Sequence, residues 1–241
     1  MIPNTGQLNS QAIVNSIHSI VEKKNKITLS SIYKGILLEQ TITPVAFDKN
    51  EIVFQAPNQK ICVSLKQKAF LHSQGLPKTV IAQMKKLDTT TGKIFLTNFS
   101  FLETSWSDRN HERVQPKMPP QVVLQIKEAR VAGSLENISP VGIGLLVYKL
   151  PEASVPIDPE NIIQMTFQLP NFPRFTMPGN IVSHYTLGKT LTRIGVRIYP
   201  STSQIRQINN YIIARKAEIL QELDIACIEM LEPPGSKDLY Y

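Results

Sequence analysis

The arrangement of short alternating runs in two series, separated by a polar and proline-ended segment, most constrains how this chain can fold. The first series extends from about residue 27 to residue 102, and the turn sequences Asp-Lys-Asn, Gly-Leu-Pro and Thr-Thr-Gly divide it. Five or six short strands at this spacing are typical of a small closed or split β-barrel, for which we take the split form. The predicted strands lie at 36–42, 51–55, 69–72, 79–87 and 93–102.

A second series of strands begins near residue 121 and predicts another β domain. Asn171-Phe-Pro and Leu187-Gly-Lys have the composition of hairpin turns. The predicted strands lie at 122–128, 133–138, 143–148, 162–169, 175–187 and 191–199.

Helical patterns flank the strands at both ends of the chain. Ile13, Ile17, Ile20 and Val21 recur at helical spacing, which favours a helix that covers a sheet over one that lies on a membrane surface. Near the other end, Ser201-Thr-Ser-Gln204 fits a capping box, in which Ser and Gln side chains bond the first amides of a helix. The long helix predicted after it has one apolar face and ends at Pro233-Pro-Gly; that face carries Ile208, Ile212, Ile219 and Leu223.

Basic residues are distributed unevenly along the chain, whose formal net charge is +7. Residues 1–100 contain twelve Lys and no Arg, and all eight Arg lie at or beyond Arg109. This asymmetry favours two domains with different tasks. The predicted division is an N-terminal helix and small barrel at 1–103, a linker at 104–120, and a second barrel with its C-terminal helix at 121–241.

Several classes of protein do not fit the sequence. No run approaches the roughly 18 apolar residues that a membrane-spanning helix requires, and the first residues lack the basic and apolar regions of a secretory signal. Cys62 and Cys227 lack a CxxC partner, and the four His have no metal-binding spacing, so we expect no metal and no cofactor. Two isolated thiols suit a reducing cytoplasm. Nucleophile–base sets and phosphate-loop motifs are absent, which predicts a protein that is not an enzyme.

Two local motifs carry the functional information. Arg109 and Arg113 lie four residues apart in the linker, and Asn137-Ile-Ser139-Pro-Val-Gly142 follows at the end of one predicted strand and the start of the next. Together and in this order, they resemble the signature of PilZ domains, the bacterial receptors for cyclic di-GMP. In that family an RxxxR lies before the first strand of a six-stranded barrel, and (Asp/Asn)-x-Ser-x-x-Gly lies on the second and third strands.

The resemblance covers roughly residues 105–230 and implies a PilZ β-barrel closed by the long C-terminal helix. Arg193-Ile-Gly-Val-Arg197-Ile is similar to the late strand of that family. A separate small barrel on the N-terminal side is similar to the flagellar-brake type of PilZ protein. For residues 1–100 this likeness is one of arrangement alone.

The residue types suit a ligand with two phosphates and two guanines. The forked guanidinium groups of Arg109 and Arg113 can bond a guanine edge or a phosphate in pairs, and can stack on a base. Asn137 can bond a base edge and Ser139 a phosphate or base, while Gly142 permits a turn or a close backbone approach. The two arginines could instead be solvated linker charges, and the hexapeptide could be only a hairpin turn.

Three further residues are weaker candidates for contact with the nucleotide. Trp106 borders the arm, the part of the linker that carries Arg109 and Arg113, and is interpreted as a residue that packs at a hinge or stacks on the ligand. Arg193 and Arg197 are interpreted as surface charges on a barrel strand or as ligand contacts.

The sequence therefore predicts a cytoplasmic cyclic di-GMP effector of mainly β structure. Nucleotide binding would order the arm, change the orientation of the two domains and alter affinity for a protein partner. By resemblance, its output is motility, surface adhesion or exopolysaccharide production, the processes of biofilm formation. One alternative is a nucleic-acid-binding protein that uses the lysine-rich barrel, although the surface aromatics typical of base stacking are not evident. The other is a PilZ-like protein-interaction adaptor that binds no nucleotide.

Overall fold

The computed structural model describes residues 5–48, 50–65, 67–102, 111–126, 128–148, 162–188 and 190–231. These residues form two compact units, and each contains a closed six-stranded β-barrel. The predicted fold class, mainly β with two barrels and flanking helices, is confirmed. The split form predicted for the first barrel is wrong, because β1 pairs with β4 and closes the sheet.

The first barrel follows a helix and has the strand order β1-β2-β3-β6-β5-β4. A short helix lies between its third and fourth strands. The elements are α1 (Thr5–Glu22), β1 (Ile27–Tyr33), β2 (Ile36–Asp48), β3 (Glu51–Gln55), α2 (Lys60–Ser64), β4 (Lys68–His72), β5 (Val80–Asp88) and β6 (Lys93–Phe101).

Helix α1 packs on the first barrel through the predicted apolar face. Ile13, Ile17 and Ile20 are buried in the same core as the inward residues of the strands. The backbone N–H of Phe99 on β6 donates a hydrogen bond to Ser10 Oγ at 3.1 Å, which fixes the helix along that strand. The prediction of a helix that covers a sheet is confirmed.

The runs predicted for the first barrel did not include β1 and α2 as separate elements. In β1 the polar residues Ser30 and Ser31 interrupt the apolar pattern in the sequence. Both are nevertheless buried, because their hydroxyl groups form hydrogen bonds inside the fold. Ser31 Oγ donates to the Ser64 carbonyl at 3.0 Å, and Ser30 Oγ donates to Glu39 Oε1 at 3.0 Å. Helix α2 has five residues, too few for a helical period to be visible in the sequence.

The second barrel has the strand order β10-β11-β12-β9-β8-β7, and all six of its strands coincide with predicted runs to within a few residues. Asn171 and Gly188, at the two predicted hairpin turns, have positive φ values of 64° and 68°. The elements are β7 (Gln121–Ile126), β8 (Ala129–Ser139), β9 (Gly142–Tyr148), β10 (Ile163–Gln168), β11 (Arg174–Leu187), β12 (Leu191–Ile198) and α3 (Thr202–Leu231).

Helix α3 begins with the predicted capping box. The Ser201 N–H donates to Gln204 Oε1 at 2.9 Å, and the Gln204 N–H donates to Ser201 Oγ at 3.4 Å. The predicted apolar face is buried along its length, at Ile208, Ile212, Ile219 and Leu223.

The compact units are not continuous in sequence. The first contains the described residues up to Tyr33, those from Leu37 to residue 102, and those from Leu220 onwards, whereas the second contains Lys34–Ile36 and His111–Ile219. Within the first unit, Lys60 Nζ on α2 lies 2.5 Å from Asp224 Oδ1 on α3, and Met230 packs against the barrel core. The predicted ranges 1–103, 104–120 and 121–241 stay a prediction.

Candidate functional site

Strands β8, β9 and β12 present one continuous outer face on the second barrel. Side chains alternate across a strand, and Ile143, Leu145 and Val147 of β9 are buried in the core. Gly142 and Gly144 therefore lie on the outer face.

The strand register brings four of the predicted site residues together on this face. Ser139 on β8 pairs with Gly142 on β9, which pairs in turn with Arg197 on β12. In the next row Asn137 pairs with Gly144. Because directly paired residues lie about 5 Å apart, these side chains form one surface.

A β-bulge in β8 sets the direction of Asn137. The register shifts between Leu135 and Asn137, so that Leu135 is buried in the core while Asn137 shares the outer face with Ser139. Bulges commonly redirect a side chain in this way. Glu136, at the bulge, forms an ion pair in which its Oε2 lies 2.5 Å from Arg193 Nε.

Ser139 and Gly142 close the turn between β8 and β9. Ser139 is almost fully buried, and its hydroxyl donates to the Gly142 carbonyl at 2.9 Å. A methyl group at position 142 would lie 3.1 Å from the Val196 carbonyl oxygen of β12. Gly142 therefore permits a close approach of β9 to its neighbouring strand.

The Asn137 side chain lies directly over Gly144. A methyl group at position 144 would be 2.7 Å from Asn137 Nδ2, so glycine is needed there to hold the amide against the strand. Asn137 Oδ1 is buried and accepts no hydrogen bond from any described residue. A buried amide oxygen in this state is an acceptor available to a donor that the described residues do not supply.

The end of the predicted arm is bonded to this motif. Val114 and Ile138 form a β-bridge with two backbone hydrogen bonds, from Val114 N–H to the Ile138 carbonyl at 2.9 Å and from Ile138 N–H to the Val114 carbonyl at 3.0 Å. Ile138 lies between Asn137 and Ser139, and Arg113 directly precedes Val114. The bridge therefore fixes the Arg113 backbone beside the hexapeptide.

Other contacts hold the same stretch from its opposite side. The Gln115 N–H donates to the Lys34 carbonyl at 2.9 Å, and the buried Arg215 of α3 donates from Nε to the Gln115 carbonyl at 2.9 Å. Gly35 has a φ of 93°, and a methyl group there would lie 2.7 Å from the Arg113 carbonyl oxygen. Contacts within the protein therefore hold the backbone from which the Arg113 side chain extends.

Residues 107–214 match the family model described as PilZ domain. This chain contains a PilZ domain. A 162-residue stretch is also 27% identical to an uncharacterized protein of Aquifex aeolicus (strain VF5), covering 64% of this chain and 72% of that protein.

The solved structures to which this chain is similar have low sequence identity to it. The MrkH–c-di-GMP complex of K. pneumonia has a TM-score of 0.47 at 12% identity and covers 91% of this chain and 98% of its own. YcgR in complex with c-di-GMP from Escherichia coli has a TM-score of 0.43 at 16% identity, and the match covers 90% of this chain and 94% of that chain. The Bacillus subtilis inhibitor of motility (MotI/DgrA) has a TM-score of 0.39 at 13% identity, and the match covers 80% of this chain and 97% of that chain.

The remaining predicted site residues are Arg109, Trp106, Arg193 and Arg197. Arg109 and Trp106 lie outside the described residues. Arg193 is on the outer face of the PilZ barrel and is paired with Glu136. Arg197 is exposed on β12, where it pairs with both Gly142 and Asn180, and it forms no ion pair with an acidic side chain in the described ranges.

Three residues of this face were missed from the sequence. Gly144 and Gly195 pair with each other between Asn137 and Ser183, and Asn180 is a buried amide that pairs with Arg197. The spacing Gly142-Ile-Gly144, two glycines on the same face of a strand, was the available signal for a close approach of neighbouring groups to this face. Nothing in the sequence alone indicated Asn180, because it comes from a distant strand.

Two features are absent from the described parts of the chain. None of the helices there is both long and apolar enough to cross a bilayer. Those residues also contain no group of three or more His, Cys, Asp or Glu side chains placed to hold a metal ion.

Proposed function

We propose that the PilZ barrel binds cyclic di-GMP on the outer face of β8, β9 and β12. The observation that carries this proposal is the β-bridge between Val114 and Ile138, because it holds Arg113 beside Asn137 and Ser139. Members of the PilZ family are receptors for this nucleotide, and the motif residues of the family are present at Arg109, Arg113, Asn137, Ser139 and Gly142.

Each of the described groups has a role in this proposal. Arg113 donates paired hydrogen bonds to a guanine edge or a phosphate. Asn137 Oδ1, buried without a donor among the described residues, accepts from a guanine N–H. Gly142 has no side chain on the outer face, so a planar base can approach the backbone there, while Gly144 makes room for the Asn137 amide.

The two arginines of β12 have unequal roles. Arg197 is exposed and lies in the same row as Ser139 and Gly142, so it can contact a phosphate without first leaving an acidic partner. Arg193 would have to exchange Glu136 for the ligand. We therefore assign Arg197 to the site before Arg193.

Isothermal titration with cyclic di-GMP tests this site. We expect saturable binding by the full chain and a loss of roughly 10- to 100-fold in affinity for Arg113→Ala, since a lost hydrogen bond from a charged group costs about 1.5–3 kcal/mol. Arg174→Ala, which removes an exposed arginine from the far end of β11, is the matched control and should bind normally. An absence of heat and of thermal stabilisation at saturating nucleotide would contradict the proposal and favour the adaptor interpretation.

Nucleotide binding on this face acts through a change in affinity for a protein partner. We infer that the protein is a non-enzymatic effector whose nucleotide-bound form alters the affinity of a protein partner, in motility, adhesion or exopolysaccharide production. A partner captured equally by the free protein, the nucleotide-bound protein and Arg113→Ala would contradict this regulation. The change in domain orientation stays a prediction, testable by small-angle scattering with and without nucleotide.

A further inference from the structure

An open cavity of about 600 Å³ in the first unit has a lining made only of polar and basic residues. No carboxylate is part of this lining. The residues are Lys24, Asn25, Lys26, Thr28, His72, Ser73 and Gln74. The cavity belongs to the lysine-rich part of the chain, whose charge the PilZ site does not use.

Backbone hydrogen bonds at the end of α1 and strand pairing between β1 and β4 fix the backbone around this cavity. At the end of α1, the Lys24 N–H donates to the Val21 carbonyl at 2.9 Å and the Asn25 N–H donates to the Ile20 carbonyl at 3.0 Å. This pattern is a Schellman motif. On the opposite wall, Thr28 pairs in register with His72, so the residues that follow His72 face the end of the helix.

The turn after β4 is packed against the same helix end. The Leu76 N–H donates to the Ser73 carbonyl at 3.0 Å, and a methyl group at Gly75 would lie 2.6 Å from Ile20 Cγ1. The turn after β4 is therefore packed directly against the last turn of α1, beside the cavity.

Lys24 occupies a position that favours glycine. Its φ is 59°, in the left-handed region, and it lies where a Schellman motif usually has Gly. A lysine there has a cost in backbone energy that glycine would avoid. Favourable interaction of its charge with the helix dipole offsets part of this cost and provides the competing structural explanation for Lys24.

The local charge favours an anion in the cavity. Lys24 and Lys26 form no ion pairs with acidic side chains in the described ranges. The nearby Glu39 is engaged on the side of the barrel, where its Oε1 lies 3.4 Å from His72 Nε2 and accepts from Ser30 Oγ. The negative end of the α1 dipole opposes an anion by roughly half a unit charge, less than two ammonium groups supply.

We propose that this cavity binds a phosphate group. A phosphate has several oxygen acceptors pointing in different directions, which matches ammonium, hydroxyl and amide donors placed on two facing walls. The group could belong to a free phosphorylated small molecule or to a nucleic-acid backbone. The proposal is independent of nucleotide binding by the PilZ barrel.

Titration of the full chain with inorganic pyrophosphate at constant ionic strength tests this site. We expect saturable binding that Lys24→Gly weakens at least tenfold, while the melting temperature of that variant is unchanged or higher because glycine accepts the left-handed backbone. Lys34→Gly is the matched control, since it removes another lysine with positive φ (48°) outside the cavity lining. It should leave pyrophosphate binding unchanged.

The outcomes separate a built site from general attraction. No saturable binding by the wild type, normal binding by Lys24→Gly, or equal losses for Lys24→Gly and Lys34→Gly would each overturn the proposal. Repeating the titration in the presence of cyclic di-GMP shows whether pyrophosphate uses the PilZ site, and competition there would also overturn it.

Two further titrations distinguish the sources of the phosphate. Affinity that rises with the length of a single-stranded oligonucleotide, with a steep dependence on salt, identifies a nucleic-acid backbone as the source. Affinity for a mononucleotide that does not rise with chain length identifies a small phosphorylated molecule. In both cases the Lys24→Gly variant must lose the binding.

Discussion

The two cysteines show how burial controls the chemistry of single residues in this protein. Cys62 and Cys227 are free and buried, at 2% and 8% exposure. Burial raises the pKa of the Cys62 thiol from its ordinary value of 9.0 to about 11, and the nearby Cys227 acts in the same direction. The pKa of Cys62 is higher in the folded than in the unfolded protein, so its protonated thiol contributes to the free energy of unfolding. That contribution is fully present below about pH 9 and is lost as the pH rises towards 11.

Cys62 should therefore be inert to thiol reagents in the folded protein. At pH 8 a pKa of about 11 leaves about one thiol in a thousand as the reactive thiolate. We expect iodoacetamide to label Cys62 at least 100-fold more slowly in the native protein than in urea, as measured by mass spectrometry. Labelling at the unfolded rate under native conditions would show that the thiol is not buried.

Gly35 should be intolerant of a side chain for two separable reasons. Its φ of 93° strains any other residue, and a methyl group would also lie 2.7 Å from the Arg113 carbonyl oxygen. Gly188 has a similar φ of 68° with nothing within 4 Å of the added methyl group. We expect Gly188→Ala to cost about 1 kcal/mol in unfolding free energy and Gly35→Ala to cost more, in urea denaturation.

The comparison of these two variants isolates the contact with Arg113. If Gly35→Ala and Gly188→Ala lower stability equally, the backbone near Arg113 moves freely and is not fixed as described. If the contact is rigid, Gly35→Ala also weakens cyclic di-GMP binding, whereas Gly188→Ala does not.

At the scale of helices and strands, the sequence predicted those elements whose side chains have a clear period. The strands of the second barrel alternate between core and surface, and all six were located from that alternation. The bulge in β8 was not visible, because one extra residue leaves the composition of the strand unchanged. The motif therefore identified Asn137 and Ser139, but the register that brings Arg197 beside them required the structure.

The capping box of α3 gives a prediction for a single helix end. Replacing Ser201 by Ala removes the acceptor for the Gln204 N–H and should lower the unfolding free energy by about 0.5–2 kcal/mol. Ser201→Asp preserves a capping oxygen and is the control. Equal destabilisation by both variants in thermal or urea unfolding would show that the cap does not act through this side-chain oxygen.

At the scale of the whole molecule, sequence distance did not predict which residues share a core. Residues from Leu220 to Leu231 belong to the unit of the first barrel, although they follow the second barrel in the chain. The turn at Lys34–Ile36 belongs to the unit of the second barrel. Composition alone does not indicate such an exchange, because a helical or turn pattern does not reveal the partner against which it packs.

Helix α3 should therefore affect the stability of the first barrel. Met230 packs against that core, so Met230→Ala should destabilise the first unit by about 1–3 kcal/mol and increase the labelling rate of Cys62 under native conditions. Glu229→Ala, at an exposed neighbouring position, is the control and should change neither. Cyclic di-GMP affinity should be unchanged in both variants, and a selective loss of nucleotide binding in Met230→Ala would contradict this assignment.

The ion pair between Lys60 and Asp224 has a consequence for synthesis of the protein on the ribosome. Asp224 is translated about 160 residues after Lys60, a delay of about 10–30 s at bacterial elongation rates. During that interval the first barrel emerges from the ribosome without the part of α3 that completes its core. The nascent chain must therefore remain soluble with an incomplete N-terminal domain, and chaperone binding to this intermediate should end when residues beyond 220 emerge.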